Sequence, residues 1–191
     1  MRLIFATHNN YKLNEVKSIL GRKFSITSLK EIGCYEKIDE TGNSLKENSL
    51  LKAKFVYEKY NVNCFSEDTG LEVEALDNKP GVLSARFASK DSNSEKNIEK
   101  LLSLMENKKQ RKARFRTVVT LVYKNNFYFI EGIVKGSILK KKKGENGFGY
   151  DPIFCPFGLD KSFGEISSKE KNMISHRSKA FKKLKSLLDK F

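Results

Sequence analysis

Two adjacent carboxylates, Glu67 and Asp68, lie between an apolar run and a stretch that alternates with the period of a half-buried strand. Side chains at a strand end are held by the sheet and can still reach a cleft. Because strand neighbours point to opposite faces, only one of the pair can easily face a given site. Gly70 predicts a sharp turn that leaves Asp68 accessible. We therefore expect Asp68 to face the site; taken alone, an acidic turn without a role is the alternative.

A polar loop joins a short buried strand at residues 3–6 to a helical pattern that ends at Gly21. This order is typical of anion sites, because backbone N–H groups and the positive end of the helix dipole point at the ligand. The loop lacks the glycines of a Walker A motif, and a simple helix cap is the alternative. Its residues are Thr7, His8, Asn9, Asn10, Tyr11 and Lys12.

A glycine-rich loop with two aromatic rings and an acid follows the lysine run 140–143. Three glycines within residues 144–149 permit close approach of the backbone to a ligand. Rings flanked by flexible glycines make a poor core but a good platform for a flat base. The candidate platform is Phe148 and Tyr150, in a loop that also carries Gly149 and Asp151.

Further candidates are scattered along the chain. Glu40 lies in a second acidic turn and could face a cleft or a metal, whereas Glu47 completes a capping box with Ser44. Arg86 is a candidate phosphate contact. A second capping box, Ser167 to Glu170, precedes Lys171, His176 and Arg177.

The 191 residues carry a formal net charge of +14, which favours polyanionic partners. Lysine is spread along the whole chain, however, so we expect much of this charge to be compositional bias. We expect the lysine run 140–143, which lies at a turn, to be a solvated tip; nucleic-acid contact is the alternative. Three separated cysteines suit a reducing compartment, and no apolar run reaches transmembrane length. We expect a cytoplasmic protein of one domain, residues 1–191, without a membrane or specific nucleic-acid partner.

In combination these motifs resemble the inosine/xanthosine triphosphate pyrophosphatases, which clear non-standard purine nucleotides. The resemblance spans Thr7 to Arg177, in the order typical of the family. Three positions depart from it: His8 replaces a common glycine, Glu67 a common aspartate and Ser49 a common alanine. The matching stretches are Thr7-x-Asn9-x-x-Lys12, Glu40-Thr41-Gly42 with Glu47-Asn48, Glu67-Asp68-Thr69-Gly70-Leu71, Pro80-Gly81 with Ser84-Ala85-Arg86, Gly147 to Pro152, and Lys171 with Ser175-His176-Arg177.

The resemblance implies Mg²⁺-dependent hydrolysis of ITP, dITP or XTP to the monophosphate and pyrophosphate. Asp68 would be the general base and bind Mg²⁺, with Glu40 helping, and Glu67 is a further candidate beside it. Residues 7–12, Thr69 and Lys171 would hold the triphosphate. Phe148 or Tyr150 would stack on the base, which lies near Gly149. Its edge would be read by Asp151, His176 and Arg177.

That edge reading would explain selectivity for bases with a 6-keto acceptor over adenine, whose 6-amino group leaves such donors unpaired. The resemblance also implies an α/β fold with an elongated, twisted mixed β-sheet, flanking helices and two lobes around a nucleotide cleft. Homodimers are usual in the family.

Three rival functions remain open. A related pyrophosphatase acting on modified pyrimidine or standard nucleotides would share the general plan. Asp68-Thr69-Gly70 is the triplet of aspartic proteases, but this chain has one copy where those enzymes pair two. A basic nucleic-acid-binding protein would explain the charge, yet it has no use for buried acids.

Overall fold

The computed structural model describes residues 2–21 and 23–191. None of the helices in these ranges is long and apolar enough to span a membrane. The described strands are β1 (Arg2–Phe5), β2 (Ser25–Ser28), β3 (Cys64–Val73), β4 (Lys79–Pro80), β5 (Lys112–Tyr123), β6 (Asn126–Ile138) and β7 (Phe154–Pro156). The described α-helices are α1 (Asn10–Leu20), α2 (Leu45–Tyr60), α3 (Ser94–Leu104), α4 (Ser168–Ile174) and α5 (His176–Leu188).

All of these strands belong to one mixed sheet with the order β2-β1-β3-β5-β6-β7, and β4 pairs with β3. Strand β1 runs parallel to both β2 and β3. Strand β4 is antiparallel to β3, and β7 is antiparallel to β6. This arrangement confirms the predicted α/β fold with a mixed sheet and flanking helices.

The chain forms two compact units, each with an apolar core. Unit 1 comprises Met1–Asp68, Thr117–Gly132 and Arg177–Phe191; unit 2 comprises Thr69–Arg116 and Ile133–His176. In unit 1, Phe5 stacks on Phe65 at 4.7 Å between ring centroids, and both rings pack against Phe181. In unit 2, Phe115 lies edge-on to Phe154 at 4.7 Å. The predicted single catalytic domain and nucleotide cleft stay predictions.

The helix boundaries follow from local capping. Helix α1 begins where Asn9 Oδ1 accepts the Lys12 amide at 3.1 Å, and it ends at Gly21 as predicted. At α2, Ser44 accepts the Glu47 amide, while the Glu47 carboxylate reaches the Asn43 amide at 2.7 Å. Ser44 therefore caps the helix as predicted, but the Glu47 carboxylate bonds the amide of Asn43 instead of the amide of Ser44.

Ser167 and Glu170 form the predicted capping box at the start of α4. Ser94, at the start of the apolar pattern that includes Ile98 and Leu101, is the N-cap that the sequence predicts for α3. That prediction is wrong by one residue, because Asn93 caps the helix; asparagine serves as well as serine there. The β-branched and aromatic runs at residues 113–123 and 127–134 predict a hairpin, and the neighbouring strands β5 and β6 confirm it. Its two connecting residues, Lys124 and Asn125, have φ of 47° and 64°, as a tight hairpin turn requires.

The prediction of a turn after Asp68 is wrong. Strand β3 runs without a break from Cys64 to Val73, so Asp68 lies in its middle rather than at its end. Gly70 serves a different purpose: a Cβ built on it would lie 2.5 Å from the carbonyl oxygen of Gly81. The glycine allows two backbone segments of unit 2 to approach closely.

We predict that Gly70→Ala destabilises the protein by about 1–3 kcal/mol, because the added methyl group meets a backbone oxygen that cannot rotate away. Urea unfolding at neutral pH measures the change. Ser103→Ala, on the exposed side of α3, is the control and should stay within about 0.5 kcal/mol of the parent. An unchanged midpoint for Gly70→Ala would show that the close approach is not required.

Candidate functional site

Glu67 and Asp68 are both buried in β3, at 2% and 6% exposure, but their carboxylates have different partners. Glu67 pairs with Lys12 of α1 and with Arg177 of α5. Asp68 contacts α2 instead. The strand alternation expected from the sequence therefore separates the two acids into two sets of contacts.

The contacts of Asp68 come from one face of α2. Lys52 Nζ lies 3.1 Å from Asp68 Oδ1 and 2.5 Å from Glu40 Oε1. Asn48 Nδ2 donates to Asp68 Oδ2 at 3.4 Å. The two acids predicted from the sequence, Glu40 and Asp68, are thus brought together around one ammonium group.

Lys52 was not among the residues singled out from the sequence. A signal was present, because Lys52 falls on the buried stripe of α2 together with Leu45, Ser49, Ala53 and Val56. Lysine is almost never fully buried without a partner. A lysine at an inward position of an amphipathic helix therefore indicates a buried acid nearby.

Burial raises the pKa of Asp68 and outweighs the opposing effect of the nearby Lys52 ammonium. For Lys52, burial alone would lower the pKa, but the carboxylates of Asp68 and Glu40 raise it above its ordinary value. Lys52 therefore stays charged, and Asp68 is a stronger proton acceptor than an exposed aspartate.

Glu67 is the centre of a second charge cluster in unit 1. Its Oε1 lies 2.9 Å from Lys12 Nζ and 3.2 Å from Arg177 Nη2. Arg177 Nη1 also reaches Glu15 Oε2 at 2.5 Å. Burial alone would raise the pKa of Glu67, but Arg177 and Lys12 outweigh it and hold the pKa below its usual range. Arg177, predicted as a base contact, is 1% exposed within this cluster.

The predicted phosphate loop lies between β1 and α1. Thr7 Oγ1 accepts the Asn9 amide at 3.1 Å, so these two side chains shape the turn and cap the helix. His8 Nε2 lies 2.9 Å from the carbonyl oxygen of Glu36. Asn10 and Tyr11 are exposed on the first turn of α1.

The glycine-rich loop of unit 2 is held by a buried ion pair. Lys171 Nζ lies 2.6 Å from Asp151 Oδ2, and the same oxygen accepts the Phe148 amide at 2.8 Å. The Lys171 ammonium also lies 4.8 Å from the centroid of the Phe148 ring. Lys171, predicted to hold phosphate, is thus packed with the residues predicted to bind the base.

The other predicted residues of unit 2 have varied surroundings. Tyr150 is 4% exposed in the apolar core, and its hydroxyl donates to the Ser84 carbonyl at 2.9 Å. His176 is buried and stacks on Phe115 at 4.6 Å between centroids. Gly149 has a φ of 62°, which suits glycine. Thr69 follows Asp68 in β3, and Arg86 ends a 3₁₀ helix; both are half-buried.

The lysine run 140–143 is exposed, which confirms the predicted solvated tip. Lys142 pairs with Glu95 at 2.6 Å. Pairing of exposed side chains contributes little to stability, because water screens both charges.

The fold is that of proteins described as Ham1. The Staphylococcus aureus Ham1 protein superposes with a TM-score of 0.91 at 36% identity, over 100% of this chain and 99% of that one. The Ham1 family model matches residues 3–187, and the chain belongs to this family. Curated relatives named dITP/XTP pyrophosphatase include those of Flavobacterium johnsoniae, 47% identical over 98% of both chains, and Porphyromonas gingivalis, 48% identical over 98% of this chain and 97% of that one.

We predict that Glu67→Gln destabilises the protein by about 3 kcal/mol at pH 7, because it leaves the buried Arg177 with less negative charge around it. The pKa of Glu67 is lowered by folding, so its stabilising effect is full above the unfolded pKa. The effect declines as the pH falls below that value, and it is gone only below the lowered folded pKa. Urea unfolding from pH 7 down to pH 3 should therefore show the two proteins converging in acid. A constant difference would contradict this.

Proposed function

We propose that residues 1–191 act as one nucleoside triphosphate pyrophosphatase domain that hydrolyses ITP, dITP and XTP to the monophosphate and pyrophosphate. The observation that carries the proposal is Asp68, a buried carboxylate with a raised pKa that is held by Lys52 and Asn48 beside Glu40. Near full-length similarity to relatives named dITP/XTP pyrophosphatase supports the substrate class.

Asp68 accepts the proton of the water that attacks the triphosphate, and the bond between the α- and β-phosphates breaks. A raised pKa suits this role, because the proton acceptor needs basicity near the working pH. The bonds to Lys52 and Asn48 fix the direction of the Asp68 oxygens. A lysine partner also argues against the protease alternative, in which two carboxylates share a proton.

Glu40 and Asp68 fit a magnesium ion. Their oxygens converge on one ammonium group, so a cation is already accommodated between them. Within residues 2–21 and 23–191, no group of three or more His, Cys, Asp or Glu side chains could hold a metal. Mg²⁺ takes only one or two carboxylates along with water and substrate phosphates, so this pair suffices. Bound there, the ion would neutralise phosphate charge.

The triphosphate binds the loop before α1. The helix N-terminus and its exposed first turn supply backbone and side-chain donors. Lys12 supplies the charge, and Glu67 keeps its ammonium in place at 2.9 Å. The phosphate contacts we assign are Thr7, His8, Asn9, Asn10, Tyr11, Lys12 and Thr69.

The base stacks on Phe148 of the glycine-rich loop, since Tyr150 is committed to the core. We assign Asp151 and His176 to the polar edge of the base. The contacts of Lys171 with Asp151 and Phe148 support a role at the base in addition to its predicted phosphate contact. A 6-keto oxygen satisfies donors that the 6-amino group of adenine leaves unpaired. Arg177 acts on the base from its position in the charge cluster around Glu67. We also propose a cytoplasmic homodimer.

Hydrolysis of a panel of triphosphates with Mg²⁺, followed by pyrophosphate release, tests this function. ITP, dITP and XTP should be cleaved faster than ATP, GTP, CTP and UTP, with pyrophosphate rather than phosphate as the product. Preference for a modified pyrimidine nucleotide would favour the related pyrophosphatase instead. Sub-micromolar binding of duplex DNA or RNA at physiological salt, without hydrolysis, would favour the nucleic-acid alternative.

We predict that Asp68→Asn lowers the rate of ITP hydrolysis by about 10²–10⁴-fold while the protein stays folded, because the amide can neither accept the proton nor replace the carboxylate at the metal. Steady-state assays at saturating Mg²⁺ measure the loss. Asp77→Asn, an exposed residue that ends a 3₁₀ helix, is the matched control and should retain full activity. Near-parental rates in Asp68→Asn would refute the assignment.

We predict that Lys12→Ala raises KM for ITP and ATP by similar factors, because a phosphate contact carries no information about the base. Phe148→Ala is the contrasting variant, because it should weaken stacking on the base by about 1–3 kcal/mol and leave inorganic pyrophosphate inhibition unchanged. Loss of discrimination between ITP and ATP in Lys12→Ala would instead place Lys12 at the base.

A further inference from the structure

Asn48 connects the two acidic segments of unit 1. Its Oδ1 accepts the backbone N–H of Gly42 at 2.8 Å, two residues after Glu40. Its Nδ2 donates to Asp68 Oδ2 at 3.4 Å. The side chain is 1% exposed, so it is committed to these two contacts rather than to water. One amide thus joins the loop that carries Glu40 to the strand that carries Asp68.

Lys52 makes the same connection one helical turn later. Residues four apart lie on the same face of a helix, so Asn48 and Lys52 form a pair along α2. Lys52 joins Glu40 Oε1 to Asp68 Oδ1, while Asn48 joins the Gly42 amide to Asp68 Oδ2. Each oxygen of Asp68 is therefore held by a different residue of one rigid helix.

The packing around Gly42 shows that this connection is close-fitting. A Cβ built on Gly42 would lie 2.6 Å from Glu47 Cβ and 2.7 Å from Asn48 Oδ1. The loop can therefore approach the first turn of α2 only because residue 42 has no side chain. Asparagine is a poor helix former, and a buried amide costs free energy unless it is bonded, so the position has a use beyond helix formation.

We propose that Asn48 is a positioning residue that, together with Lys52, sets the spacing and orientation of Glu40 and Asp68; the proposal rests on the function proposed above. The amide has a fixed orientation, because Oδ1 is committed to the Gly42 N–H and only the NH₂ group can meet Asp68. Asn48 does not touch the substrate. It acts through the two carboxylates, as outer residues do around metal ligands.

Two variants distinguish the bond between Asn48 and Gly42 from the bond between Asn48 and Asp68. Asn48→Ala removes both bonds. Asn48→Asp keeps an acceptor for the Gly42 N–H but presents Asp68 with an oxygen that cannot donate. Ser49→Ala is the matched control, because Ser49 is an equally buried neighbour in α2 whose hydroxyl contacts Thr120 at 2.7 Å and not Asp68.

Three readouts are measured: ITP hydrolysis, amide hydrogen exchange of Gly42 by NMR, and Mn²⁺ binding without nucleotide by electron paramagnetic resonance. Asn48→Ala should lower kcat by about 100-fold with little change in KM, since a displacement of a catalytic group by about 1 Å lowers the rate by about that factor. It should also weaken Mn²⁺ binding by about 10-fold. Gly42 exchange should accelerate in Asn48→Ala and stay slow in Asn48→Asp, although Asn48→Asp also loses kcat.

The proposal is overturned if folded Asn48→Ala keeps parental kcat, or if its kcat falls while Gly42 exchange and Mn²⁺ binding stay parental. It is also overturned if Ser49→Ala reproduces the three changes. Failure of the proposed function looks different: the parent itself would not hydrolyse ITP. In that event the exchange and Mn²⁺ measurements still decide whether Asn48 holds the two acids.

Discussion

The burial of two consecutive acids in one strand is the constraint on which unit 1 depends. An uncompensated buried carboxylate costs several kcal/mol, so Glu67 and Asp68 each need a positive partner. Strand geometry sends the two side chains in different directions, so the direct ion-pair partners of the two acids differ. Helices α1 and α5 therefore supply Lys12 and Arg177 on one side, and α2 supplies Lys52 on the other.

The lysines that neutralise the buried carboxylates are consequently the same ones to which we assign roles in the proposed reaction. Lys12 neutralises Glu67, and it is also the cation that we assign to the phosphates. Lys52 neutralises Asp68 and Glu40, and it also holds the carboxylate that we propose as the proton acceptor. A substitution that removes either lysine changes the folded state and the reaction together, so stability and kinetics have to be measured on the same variants.

The features that the sequence predicted are those encoded locally. Helices α1 and α2, the β5–β6 hairpin and the capping box at Ser167 follow from residues within a few positions of each other. The turn predicted after Asp68 was wrong, because the close neighbour of Gly70 is a backbone segment eleven residues away at Gly81. The partners of Arg177 are 110 and 162 positions away, beyond the reach of any local pattern.

Lys52 has a consequence for how the protein matures. Many small metalloproteins fold only when their ion arrives, because their ligands repel one another without it. Here an internal ammonium lies against both carboxylates, so the newly made chain carries its own counter-ion for them. We therefore expect folding not to require a divalent cation. If Mg²⁺ binds as proposed, its arrival and departure would leave these two carboxylates compensated by Lys52.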